Sequence, residues 1–243
     1  MKSKNTVFIL LFFSGFLAAQ QHDNVWLFAD LGIHSSTVNF SNGFPEVSEL
    51  SNEITDLVKS SAMISDSSGN LILYTNGCNI YGADNDVIEN GNMINPGETW
   101  DNYCNFNSSY PTAIQSSSFL PWPGNSQKYI LFHRKISVVQ LPSGSIEVRT
   151  EPLYYSTISF EDNPEGQVVD KNIILYDGSP RVESGSMTAN KHANGKDWWI
   201  TNRLEDGGGF LKYLLTPNGI EGPFIQEIGW YPENYQNGGG ECE

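Results

Sequence analysis

Apolar and polar positions alternate along this chain in short runs, punctuated by glycine, asparagine, aspartate, serine and proline. That period predicts β-strands joined by turns rather than helices. One design recurs three times: a short apolar strand, a polar turn carrying a glycine, and a second strand of β-branched and aromatic residues. The copies cover residues 61–75 with Gly69, 117–132 with Gly124, and 186–201 with Gly195. Each has the length and composition of a β-hairpin. Further strands are predicted at 24–31 and 37–40, then at 79–81 and 87–88 around the turn Asp84-Asn85-Asp86. Others follow at 137–141, 146–150 and 153–160, and at 210–215 and 224–228 around Pro217-Asn218-Gly219. Only residues 49–59 could form a turn or two of helix, and they read equally as a loop. Hairpins spaced several tens of residues apart point to a radial array. The expectation is an all-β fold, a β-propeller-like array of about three four-stranded blades filling residues 21–243. Insertions at 89–110 and 161–170 would explain the irregular spacing of the three glycines. The sequence Gln236-Asn-Gly-Gly-Gly-Glu-Cys-Glu243 falls where a fourth inner strand should begin, so the array is expected to be incomplete.

The first twenty residues change the picture from a bare fold to an exported one. Lys2 and Lys4 precede an unbroken apolar core at 7–13, and Ala18 and Ala19 lead into a polar stretch, the pattern of a secretory signal. No later segment approaches the apolar length of a membrane-spanning helix. The net charge is −15, from 13 basic and 28 acidic residues. Such a surface repels phosphate backbones, so nucleic acid is not an expected partner. Of the three cysteines, Cys78 and Cys104 share one inter-repeat region and form the candidate disulfide, leaving Cys242 over.

Several segments resemble a known family. Gly69-Asn-Leu-Ile-Leu-Tyr-Thr-Asn-Gly77 is similar to a strand–turn signature of large surface proteins of gliding and related Bacteroidetes. So are Val25-Trp-Leu-Phe28, Leu153-Tyr-Tyr-Ser-Thr-Ile158, Lys191-His-Ala-Asn-Gly-Lys-Asp-Trp-Trp-Ile200 and Tyr213-Leu-Leu-Thr-Pro-Asn-Gly219. The resemblance covers nearly all of the chain after the signal. It implies a propeller-like (WD40-like) N-terminal region and a cell-surface location reached by type IX secretion. It transfers no catalytic residue, and the adhesive repeats and sorting domain that often follow are not in this sequence.

Candidate chemistry is thin. Asp66-Ser67-Ser68-Gly69-Asn70 alternates oxygen side chains but lacks the glycine and distal glutamate positions of a calcium loop, so Asp66 and Asn70 read as turn residues. His22, His34, His133 and His192 are scattered without ligand spacing, and no metal or cofactor is expected. His133 and His192 read as rim or surface residues. No nucleophile elbow is present. Asp66, Glu147, Glu183, Asp197 and Glu205 are available carboxylates for a glycosidase-like funnel, with nothing to single them out. Trp198 and Trp199 must face opposite sides of one strand, so one is expected in the core and the other could stack on a sugar. The reading is a non-enzymatic exported binding module for a surface glycan or protein. The alternatives are an exported propeller enzyme acting on polysaccharide, and a nonfunctional fragment of a larger surface protein.

Overall fold

The computed structural model describes residues 21–30, 34–50, 54–57, 60–104, 109–111, 115–205 and 207–227. The signal segment, Cys242 and the terminal glycine run lie outside them. The strands form four antiparallel sheets in chain order, each a simple meander. The first holds β1 (Val25–Asp30), β2 (His34–Asn39) and β3 (Glu46–Glu49); the second holds β4 (Ala62–Ser65), β5 (Leu71–Thr75) and β6 (Ile80–Gly82). A one-and-a-half-turn helix, α1 (Glu98–Tyr103), precedes the third sheet. That sheet is β7 (Ser117–Pro121), β8 (Lys128–Gln140), β9 (Ile146–Ser159) and β10 (Gln167–Tyr176). The fourth is β11 (Thr188–Lys191), β12 (Trp198–Arg203), β13 (Gly209–Thr216) and β14 (Gly219–Glu227).

The three turn glycines sit where the hairpins require them. Gly69, Gly124 and Gly195 have φ of 85°, 76° and 74°, a region that costs a residue with a Cβ about 1–2 kcal/mol. Each turn is also braced by a side chain. Asp66 Oδ1 accepts the Ser68 and Asn70 N–H groups, Asn125 Oδ1 accepts that of Gln127, and Asn194 Oδ1 accepts those of Lys196 and Asp197.

The third sheet is the centre of the molecule because β7 and the adjoining parts of β8 and β9 are covered on both faces. Phe119, Tyr129, Leu131 and Ile158 pack with Ile64, Leu73 and Ile80 of the second sheet. Leu120, Ile130, Phe132 and Leu153 pack with Ile200, Leu211, Tyr213 and Leu215 of the fourth. A strand buried on both sides reads as a continuous apolar run, and Tyr129-Ile-Leu-Phe132 is one. The leading strands of the first three sheets lie side by side, β1 against β4 and β4 against β7.

Four expectations need correction. There are four sheets, two of them three-stranded, rather than about three four-stranded units; the fourth strand expected at 87–88 is a single bridge from Val87 to Tyr81. The helix is at Glu98–Tyr103, while described residues 54–57 are not helical and Leu57 bridges Ala29. Six helical residues are too few to show a period in sequence. Residues 137–141, 146–150 and 153–160 are not separate strands but parts of β8 and β9, which continue through a register shift between Arg134 and Ile136. Part of the expected insertion at 161–170 is instead the start of β10. Its alternation is broken by Asp170-Lys171-Asn172, where the register shifts and Asn172 adopts φ 55°.

Candidate functional site

The chain has four arginines, Arg134, Arg149, Arg181 and Arg203, spread over seventy residues of sequence. The fold brings all of them to one end of the third sheet, where β8 and β9 pass the segment linking β10 to β11. Three of the four are paired with a glutamate carboxylate. Arg149 Nη2 donates to Glu147 at 2.8 Å, Arg181 Nε to Glu205 at 3.0 Å, and Arg203 Nε lies 3.2 Å from Glu183. Lys135 pairs with Glu151 at 3.2 Å. Arg134 is fully buried beneath them; it donates to the Glu183 backbone oxygen and to Asn202 Oδ1. Burial lowers its guanidinium to about 10, against the opposing pull of Glu183, so it stays charged at neutral pH. Burial raises the Glu183 carboxyl, which Arg203 partly offsets. Burial also pushes the Glu151 carboxyl up, but the hydrogen bonds and charges around it, Lys135 among them, hold it below the usual range. Glu147 is held low by the hydrogen bond from Arg149.

An open cleft of about 420 Å³ lies over this cluster, within the size range of small-ligand sites. Lys135, Glu151, Tyr176, Asp177 and Arg181 line it. The Tyr176 hydroxyl donates to the Pro180 oxygen at 2.8 Å. Its ring lies so close over Gly178 that a Cβ there would come within 2.4 Å of Cζ, so Gly178 lets the ring take its place.

Of the five carboxylates named from sequence, Glu147, Glu183 and Glu205 meet at this cluster. Asp66 and Asp197 do not; each closes a hairpin turn elsewhere. Asp66 is raised by burial but more strongly lowered by the hydrogen bonds of its turn, Asn70 first. His192 is also a turn residue, its Nδ1 accepting the Asn194 N–H. Trp198 packs against the core shared with the third sheet, while Trp199 lies on the opposite face against Phe224 and Lys212. Cys78 and Cys104 form a disulfide, with Cα atoms 5.7 Å apart.

His133 is not at a rim. It is completely buried, and burial lowers its imidazole to about 3. Its Nδ1 lies 2.7 Å from Asn95 Oδ1, an acceptor, so the proton sits on Nδ1 and Nε2 accepts from Ser156 Oγ at 2.9 Å. Ser156 Oγ in turn accepts the Asn172 N–H, and Asn172 holds the 93–95 loop through its side chain. The order serine–histidine–amide has the form of a nucleophilic relay. Ser156 has no exposed surface, however, and the network ties β8, β9 and β10 to a loop rather than presenting a nucleophile. The sequence signal was Tyr129-Ile-Leu-Phe-His-Arg134 as one run: in a strand buried on both faces, the two polar residues that end the run are buried too.

Among the described residues no cluster of three or more histidine, cysteine or acidic side chains is placed to hold a metal, and no helix is long and apolar enough to cross a membrane. Compared with known proteins, the chain matches no family model, no curated protein and no solved structure.

Proposed function

We propose that the protein is an exported, non-enzymatic binding module, that its sheets are successive blades of a β-propeller-like array, and that the cleft over the arginine cluster is its ligand site. The blade reading is supported by the side-by-side leading strands of the first three sheets and by a central sheet covered on both faces along β7 and the adjoining parts of β8 and β9. Export is supported by the signal pattern and a disulfide. The surface location on a gliding-type bacterium rests on the strand–turn motifs alone. The observation that carries the binding role is the pairing at the cleft. Lys135 and Arg181 each face a carboxylate, so the site offers fixed hydrogen-bonding groups, with Asp177 as its further charged lining residue.

A second reading, an enzyme acting on polysaccharide, draws on the spread between the raised Glu183 and the lowered Glu151 carboxyls. Against it, Glu183 is buried against Arg203 and does not line the cleft. The two readings separate by incubating the purified chain with insoluble polysaccharides and cell-envelope fractions. Binding predicts retention that falls in a Lys135→Ala/Tyr176→Ala variant, with no reducing ends released. Equal retention of variant and parent removes the cleft as the site; soluble sugar released by the parent and not by Glu183→Gln establishes the enzyme.

A further inference from the structure

The cleft's charges are balanced, and this narrows what it can hold. Lys135 and Arg181 carry two positive charges; Glu151 and Asp177 carry two negative ones. The whole chain stands at −15. An anionic ligand is therefore repelled at long range and finds both lining cations already satisfied by carboxylates. A cationic ligand is drawn in at long range but meets Lys135 and Arg181 at short range, where Glu151 and Glu205 are already paired with them. A neutral ligand that donates and accepts at neighbouring atoms suffers neither penalty. Each ion pair sets a donor and an acceptor 3.0–3.2 Å apart, the arrangement that adjacent hydroxyls can bridge by charge-assisted hydrogen bonds. The side chains involved are 26–41% exposed, so they remain reachable. The Tyr176 ring, braced on Gly178 and tied through its hydroxyl, supplies a fixed apolar surface beside them.

We infer that the cleft takes an uncharged saccharide unit, its hydroxyls spanning the Lys135–Glu151 and Arg181–Glu205 pairs and its apolar face lying on Tyr176. This rests on the cleft being the binding site. The test titrates the full chain with neutral oligosaccharides (gluco-, xylo-, manno-, galacto- and N-acetylglucosamine series) and with oligogalacturonates of equal length. The parent, Tyr176→Ala and Lys135→Ala are compared at about 0.02 M and about 0.5 M sodium chloride. At least one neutral series is expected to bind, with an affinity that changes less than about twofold with salt. Tyr176→Ala is expected to weaken it at least about tenfold. Binding of the uronates alone, steeply salt-dependent and lost in the variants, overturns the neutral class and leaves the cleft standing. Neutral binding that neither variant weakens overturns the cleft itself. Failure of every series overturns the saccharide, and the envelope-retention comparison then decides the cleft. The Lys135 side chain is 26% exposed, so Lys135→Ala carries the comparison should Tyr176→Ala not fold.

Discussion

His133 and Arg134 are adjacent, fully buried and polar, and each makes a sharp prediction. The unfolded His133 imidazole takes its proton near about 6.5, and the folded one near about 3. Between those values the unfolded chain holds more protons, so stability is complete above 6.5 and falls as pH drops toward 3. The slope from this group is up to about 1.4 kcal/mol per pH unit. Histidine ring resonances followed by NMR from pH 8 to 4 should show His133 neutral throughout, protonated on Nδ1; an inflection near neutrality would refute its burial as the uncharged form. Arg134 binds by a planar fork to Asn202 and the Glu183 backbone oxygen. Replacing it with methionine strips the buried Asn202 Oδ1 of this donor, leaves the Glu183 oxygen with Ser186 Oγ alone of its two side-chain donors, and leaves the Glu183 carboxylate less compensated. Urea unfolding should register a loss of about 3–5 kcal/mol. Arg134→Lys should recover only part, because one ammonium cannot reproduce the fork.

Turn chemistry makes the hairpins separable experiments. Adding a methyl at Gly195 meets nothing within 4 Å, so Gly195→Ala isolates the cost of φ 74°, about 1–2 kcal/mol. At Gly69 the same methyl comes within 2.6 Å of Asn24 Nδ2. Gly69→Ala should therefore be the more destabilising of the two by thermal unfolding, and the reverse order would contradict the turn geometry. The disulfide closes a 26-residue separation, for which loop-closure entropy alone gives about 3.5 kcal/mol. Reduction, or Cys78→Ser/Cys104→Ser, should lower the unfolding free energy by about that amount. These elements also show what the sequence could reveal. Glycine, asparagine and aspartate at a turn act locally, so the three hairpins were readable from composition. Strand length and pairing beyond them were not. β8 and β9 run through a register shift and past Pro152, and β10 survives a polar interruption, because partners on neighbouring strands hold them. α1 is held by its surroundings, with Trp100 Nε1 donating to the Cys78 oxygen, rather than by any pattern of its own.

Over the whole molecule, the site was invisible in sequence for the same reason that it forms: it joins residues from three separate stretches of chain. Glu147, Glu183 and Glu205 could be named from sequence, but not told apart from Asp66 and Asp197, because nothing along the chain indicates that four arginines converge on them. That convergence sets the balance of charge. The chain has 28 acidic and 13 basic residues, yet four arginine– or lysine–glutamate pairs, among the described residues, gather at this one end of the third sheet. The acidic residues elsewhere repel one another across solvent. Added salt acts on both terms with opposite sign. It screens the repulsion beyond about 8 Å at physiological strength, and it weakens the exposed pairs, each worth about 0–1 kcal/mol. The Arg203–Glu183 pair is largely buried, with side chains 17% and 8% exposed, and is screened least. An excess of fifteen negative charges outweighs three partly exposed pairs, so relief of repulsion should win. Raising sodium chloride from about 0.02 M to about 0.3 M should raise the thermal midpoint by a few degrees. A fall would mean that the cleft's ion pairs, rather than the excess of acidic charge, govern the stability of the fold.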